Sequence, residues 1–239
     1  MIKRLKQILM LALVTSFAAP SAIAQTSGTT HVIQDLETWT SAGLNYKFNK
    51  KLSFSLSEQL RLKNNSSTVD VYFTQLETEY KVAKGLSLGL GLRYIRENDD
   101  EGKVQGYENH LRWNADLGYK HKIDRFTMRY RVRYQSKDEL GVTTDLVKNV
   151  VRFKLGTGYN IKNWKFDPTA SAEIFNGLTD DEGLYKLRFT LGTKYETKNA
   201  GDFGLFLRTE NQLQGEYPKR TNIIGLKYEY TLKRKQNEK

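Results

Sequence analysis

From residue 36 to residue 232 apolar and polar positions alternate almost without a break. A period of two marks strands whose successive side chains point to opposite faces, and the 3.6-residue spacing of helices is missing. Leu86, Leu88, Leu90, Leu92 and Tyr94 share one face of a run, while Ser87, Gly89, Gly91 and Arg93 share the other. In the next run Leu111, Trp113, Ala115, Leu117 and Tyr119 oppose Arg112, Asn114, Asp116, Gly118 and Lys120. After a turn over residues 121–125, Phe126, Met128, Tyr130, Val132 and Tyr134 oppose Thr127, Arg129, Arg131, Arg133 and Gln135. Similar alternation fills residues 36–48, 52–62, 72–82, 151–161, 166–174, 185–195, 203–209 and 224–232, which makes eleven strands.

Six of these runs close on a tyrosine just before a short polar break: Tyr46, Tyr80, Tyr119, Tyr159, Tyr195 and Tyr228, at intervals of 33 to 40 residues. One interval holds two strands of about ten residues, a tight turn and a longer loop, the hairpin repeat of a transmembrane β-barrel with an aromatic girdle at one interface. Breaks after the tyrosines are short and basic or Asn-rich, as at 49–51, 83–85, 160–163 and 198–202. The others, at 64–70, 97–106, 136–145, 176–183 and 214–220, are longer and carry Asp, Glu and Gly. Short periplasmic turns and long external loops then put the six tyrosines at the periplasmic rim. The first assigned strand runs toward that rim, so an antiparallel closure asks for a strand before it, and residues 29–35 are the chain available. The expected fold is an all-β, antiparallel transmembrane β-barrel of about 12 strands, within a range of ten to fourteen.

A soluble barrel alternates too, but with its apolar face inward. Here the apolar face supplies dozens of large side chains, which would overfill a small barrel, whereas lipid outside accepts any number. Closure also gives every backbone group a partner in hydrocarbon. The chain's start agrees with export. Lys3, Arg4 and Lys6 precede an apolar stretch at 8–19, and Ala22-Ile23-Ala24 fits cleavage before Gln25. The expected division is a signal peptide over 1–24 and one barrel domain over 25–239. Loss of the signal lowers the formal charge of +11 by three, to +8. With no cysteine in the chain, disulfides, thiolate zinc sites and thiol nucleophiles are excluded.

Asp35-Leu36-Glu37-Thr38-Trp39-Thr40, the run Leu56-Ser57-Glu58-Gln59-Leu60-Arg61-Leu62 and Leu92-Arg93-Tyr94 resemble a bacterial outer-membrane β-barrel family known only as a domain of unknown function. The resemblance spans most of the mature chain and implies a barrel in the outer membrane of a Gram-negative bacterium. It supplies no catalytic residues. The chain departs from the usual outer-membrane pattern in following Tyr228-Glu229-Tyr230-Thr231-Leu232 with a charged tail, residues 233–239, rather than ending on an aromatic. The signal read by the barrel-insertion machinery is then expected to be internal.

Function is sought on the inward face, which is basic around the third short turn. Arg112, Arg129, Arg131, Arg133, Arg152 and Lys154 gather there with Asp116, while Arg93, Arg188, Arg208, Glu77, Glu79, Glu173 and Glu210 line the rest, along with Lys194, Glu196, Lys227 and Glu229. These charges serve either as ion-pair ladders filling a narrow barrel or as the wall of a water-filled pore whose cations favour small anionic solutes. An enzyme ranks below both. Of three histidines, His31 lies in the weak N-terminal stretch, His121 in a turn and His110 near a strand start, and none has a serine or acid in a catalytic pattern. Each reads as a hydrated loop or rim residue. No His pair has metal-ligand spacing, so no metal or cofactor is assigned, and Asp99-Asp100-Glu101 and Asp180-Asp181-Glu182 read as solvated turns. Nucleic acid is excluded, because the aromatics and arginines of 126–134 fall on opposite faces. Glu58 is anomalous. Alternation directs it toward lipid unless a β-bulge intervenes or it sits at headgroup level. The expectation is a monomeric, non-enzymatic outer-membrane barrel, structural or pore-like, in contact with outer-membrane lipid; the alternative is an anion-preferring small-solute channel, and a barrel hydrolase comes last.

Overall fold

A computed structural model of the chain describes residues 32–100, 105–142, 147–179, 182–197 and 200–233. The strands are β1 (Ile33–Lys47), β2 (Leu52–Lys63), β3 (Thr68–Ala83), β4 (Leu86–Asp99), β5 (Gly106–Ile123), β6 (Phe126–Glu139), β7 (Lys148–Tyr159), β8 (Phe166–Gly177), β9 (Gly183–Glu196), β10 (Asp202–Gln212) and β11 (Lys219–Lys233). Each pairs with its sequence neighbour in antiparallel fashion, and β1 closes the barrel against β11. The proposed signal peptide and the first part of the stretch considered for an extra strand, residues 29–31, lie outside the described residues.

Eleven strands close this barrel among the described residues, one fewer than the central expectation and within its range. The reason is the final pair. β1 and β11 both run from the long-loop end to the tyrosine rim, and they pair in parallel from Ile33 opposite Lys219 to Lys47 opposite Lys233. Parallel hydrogen bonding satisfies both edges, so no additional strand is needed. Ile33, Gln34 and Asp35 belong to β1 itself.

Strands are also longer than alternation suggested, up to 18 residues in β5. Pairing continues past the apolar stretch into polar alternation, where Glu97 faces Glu108 and Asn98 faces Tyr107. One consequence is a tight connection between β2 and β3. There Asn64, Asn65 and Ser66 all take left-handed φ (56°, 56° and 63°), a conformation asparagine tolerates better than most residues. Asp35 holds it by accepting the backbone N–H groups of Asn64 (3.2 Å) and Asn65 (2.9 Å), while Lys219 approaches the same carboxylate at 3.2 Å.

The alternating apolar faces point outward. Leu88, Leu90, Leu92 and Tyr94 on β4, and Leu111, Trp113, Leu117 and Tyr119 on β5, are all exposed on the barrel's outer surface. At the short-turn end the tyrosines meet aromatics of neighbouring strands. Ring centroids lie 4.8 Å apart for Phe126 and Tyr159, 5.1 Å for Phe166 and Tyr195, and 5.1 Å for Phe203 and Tyr228. Tyr119 and Tyr130 are stacked at 6.2 Å, Tyr46 stands opposite Phe54, and Tyr80 lies between Leu52 and Leu88. These rings form a belt around one end.

Candidate functional site

The inward face divides into two zones along the barrel. In the half nearer the long loops, aromatic rings and guanidinium groups stack into a layer. Arg93 lies 3.5 Å from the ring centre of Phe73, Arg61 lies 5.2 Å from Phe73 and 3.7 Å from Trp39, and Arg188 lies 5.8 Å from Trp39 and 4.6 Å from Phe175. Arg152 continues the layer at 4.4 Å from Phe175, and Arg208 packs 4.8 Å from Trp39. Trp39, Phe73 and Phe175 are each only 3% exposed. Because β1 and β9 are not neighbours in the sheet, the Trp39–Arg188 contact spans the interior. Cationic groups over ring faces gain most where water is excluded.

Carboxylates tie this layer together. Glu173 on β8 receives Arg131 at 2.7 Å, Arg152 at 2.9 Å and Arg188 at 3.2 Å, while Arg188 also reaches Glu210 at 2.6 Å. Lys186 bonds Glu210 at 3.2 Å. Arg133 makes a fork to Asp116, at 2.6 Å from each oxygen, and crosses two strands to Glu77 at 2.9 Å. Bidentate pairs of this kind fix orientation as well as charge. Arg93 donates two hydrogen bonds to Gln75, and Arg112 is buried beside Asn114 with two of its nitrogens unbonded.

Toward the short turns the interior widens into a cavity of about 2140 Å³. Glu77, Glu79, Asp116, Arg129, Arg131, Arg133, Lys154 and Arg208 line it, with small residues such as Gly89, Gly118, Gly156 and Ser171 between them. Lys47, Lys81, Lys122, Lys194, Lys227 and Lys233 extend it to the rim. Among the described lining residues, thirteen Lys or Arg face six Asp or Glu, so the wall is net positive. Arg129 and Lys154 make no ion pair with a described residue. One glycine is required by this interior: a Cβ on Gly225 of β11 would overlap the Phe206 ring.

Residues 36–217 match the family described as Protein of unknown function (DUF2490). The chain belongs to that family. The match runs from β1 through the loop after β10, leaving β11 beyond it. Comparison with curated proteins gives no match. The resemblance to a family known only as a domain of unknown function thus holds.

For this DUF2490 member several sequence expectations need correction. His110 is not a hydrated rim residue, since it sits inside β5 at 6% exposure. His121 belongs to β5 rather than to a turn, and its ring stacks with Tyr119 at 5.5 Å and Tyr130 at 5.7 Å. His31 lies outside the described residues, as do Glu101, Asp180 and Asp181. Asp100 is exposed just past β4, as a solvated turn residue would be, and it is ion-paired there. The Lys63 ammonium, 2.5 Å away, donates to it and holds its carboxyl below the usual value of 3.8. At Glu58 the β2–β3 register is regular, with the nearest irregularity between Arg61 and Leu62. Glu58 therefore stays on the outer face and accepts the Thr74 hydroxyl at 2.8 Å.

Sequence reasoning missed the aromatic half of the interior. Trp39, Phe73, Phe175 and Phe206 occupy positions in phase with polar or charged residues: Glu37, Gln75, Glu173 and Arg208. A large ring out of phase with its strand's apolar face was the available signal. Arg61 carried the same message from the polar side.

Proposed function

We propose that this protein is an outer-membrane β-barrel whose long-loop half is plugged by its own side chains, leaving a cationic vestibule open toward the short turns. The observation that carries the reading is the unbroken layer from Arg93 through Phe73, Arg61, Trp39, Arg188 and Phe175 to Arg152, fastened by Glu173 and Glu210. Buried charges paired in this way close the space that a conducting pore needs to keep wet. The exposed apolar belt, ringed at one end by aromatics, supports a lipid environment, because a contiguous apolar surface of that extent is costly in water. The signal-like N-terminus supports export, and the sheet's closure on itself suits a monomer.

A second reading is favoured by one observation. Arg129 and Lys154 stand unpaired on a wall rich in cations, which suits small anionic solutes, so the vestibule could be the entrance of an anion-preferring channel. Neither reading assigns a catalytic role to any side chain. Reconstitution of folded protein into planar bilayers under a salt gradient separates them. Silent bilayers support the plug, and steady conductance with a reversal potential of anionic sign refutes it in favour of the channel.

A further inference from the structure

Above the arginine layer, at the mouth facing the long loops, three strands bring a histidine and three carboxylates together. Glu108 and His110 are two residues apart on β5 and share the inward face. Glu139 on β6 is the register partner of His110, and Glu97 on β4 is the register partner of Glu108. Ligating atoms of Glu108, His110 and Glu139 all lie within 4.8 Å of one another. The His110 Nε2 is 3.2 Å from Glu108 and 3.5 Å from Glu97.

Two features separate this group from an ordinary acidic cluster. The His110 side chain is more than nine-tenths buried, and its Nε2 makes a hydrogen bond to neither carboxylate despite lying between them. Charge is also unbalanced. Among the described residues Glu97 pairs with the Lys137 ammonium at 2.6 Å, whereas Glu108 and Glu139 have no ion pair with a lysine or arginine. One divalent cation would cancel the charge of those two carboxylates. In a tetrahedral site with arms of about 2.1 Å the ligand atoms stand about 3.4 Å apart, close to the 3.2 Å between His110 and Glu108.

We propose that Glu108, His110 and Glu139 bind one divalent transition-metal ion of the zinc class at the long-loop mouth, with Glu97 oriented by Lys137 as the adjoining carboxylate. An imidazole with carboxylates suits such ions better than calcium or magnesium, which prefer oxygen throughout. The site caps the plugged end and joins β4, β5 and β6 across their polar extensions.

The test uses the full chain, folded in detergent and titrated with Zn2+ by calorimetry. Wild type should take up one Zn2+ per barrel, reversibly on chelation. His110→Gln and Glu139→Gln should each raise the Kd by roughly 100-fold or more, beyond the loss from disturbing an outer partner. Asp138→Asn, on the outward face of the same strand, should leave it unchanged. Lack of saturable binding to wild type, or equal binding to His110→Gln, overturns the proposal. Should the ligand variants misfold, Cu2+ bound to a variant with His31 and His121 changed to Asn must show magnetic coupling to a single imidazole nitrogen. Its absence overturns the proposal independently.

Discussion

Replacing Glu173 by glutamine tests whether the interior is a dry, paired plug. Glu173 is 2% exposed, and three guanidiniums converge on it. Without its charge Arg188 keeps Glu210 at 2.6 Å and Arg152 keeps Gln135 at 2.9 Å, but Arg131 has no other carboxylate among the described residues. Each pair at about 4 Å and an effective dielectric near 20 is worth about 4 kcal/mol before desolvation. Much of that gain offsets the cost of removing charges from water, and breaking a buried group by deleting one partner costs about 3–5 kcal/mol net. Glu173→Gln keeps the shape and one acceptor, so the loss measures charge. Urea unfolding in lipid vesicles, followed by tryptophan fluorescence, should show a lower midpoint at unchanged slope. Glu79→Gln, at a carboxylate exposed to the cavity and without an ion pair among the described residues, should stay within about 0.5 kcal/mol of wild type. A loss below about 1 kcal/mol for Glu173→Gln would refute the argument, because it would mean that water already screens the cluster.

Combining Trp39→Ala with Phe73→Ala removes two rings from the layer, so bilayers containing the folded double variant should conduct where wild type is silent; unchanged silence would show that other side chains close the barrel. Each ring's removal should also cost about 3–5 kcal/mol, read from the same unfolding curves. Glu58→Leu replaces an outward carboxylate amid the apolar belt and should stabilise the reconstituted barrel by about 1 kcal/mol or more, whereas a loss would argue that this face is not in hydrocarbon. Asp100 has a depressed folded value, so its contact with Lys63 adds stability above the ordinary carboxyl value of 3.8 and loses it as pH falls through the folded value. Carboxyl NMR should therefore find Asp100 titrating below 3.8 and returning toward it in Lys63→Gln.

Strand positions and faces were legible because they depend on local chemistry. Leu86 to Tyr94 alternates with Ser87 to Arg93, and the pleat turns that alternation into two faces wherever the strand sits. The tyrosine repeat likewise set the short-turn end. Less legible was the candidate metal group, because no second histidine stands at ligand spacing from His110 and its companions are Glu108 on the same strand and Glu139 across the ladder. The pattern Glu-x-His on one face was in the sequence, but Glu139 enters only through register.

The sequence by itself determined that this chain is a closed β-structure with apolar residues outside and charges inside, since both follow from a period of two and from the excess of large apolar side chains. Only the tertiary structure decided how the barrel closes and what fills it. The number of strands turned on β1 meeting β11 in parallel, a pairing between residues nearly two hundred positions apart. The contacts across the interior turned on curvature, which sets Trp39 of β1 against Arg188 of β9 and Arg131 of β6 against Glu173 of β8. Alternation says which way a side chain points; the radius of the closed sheet decides which other side chain it meets there.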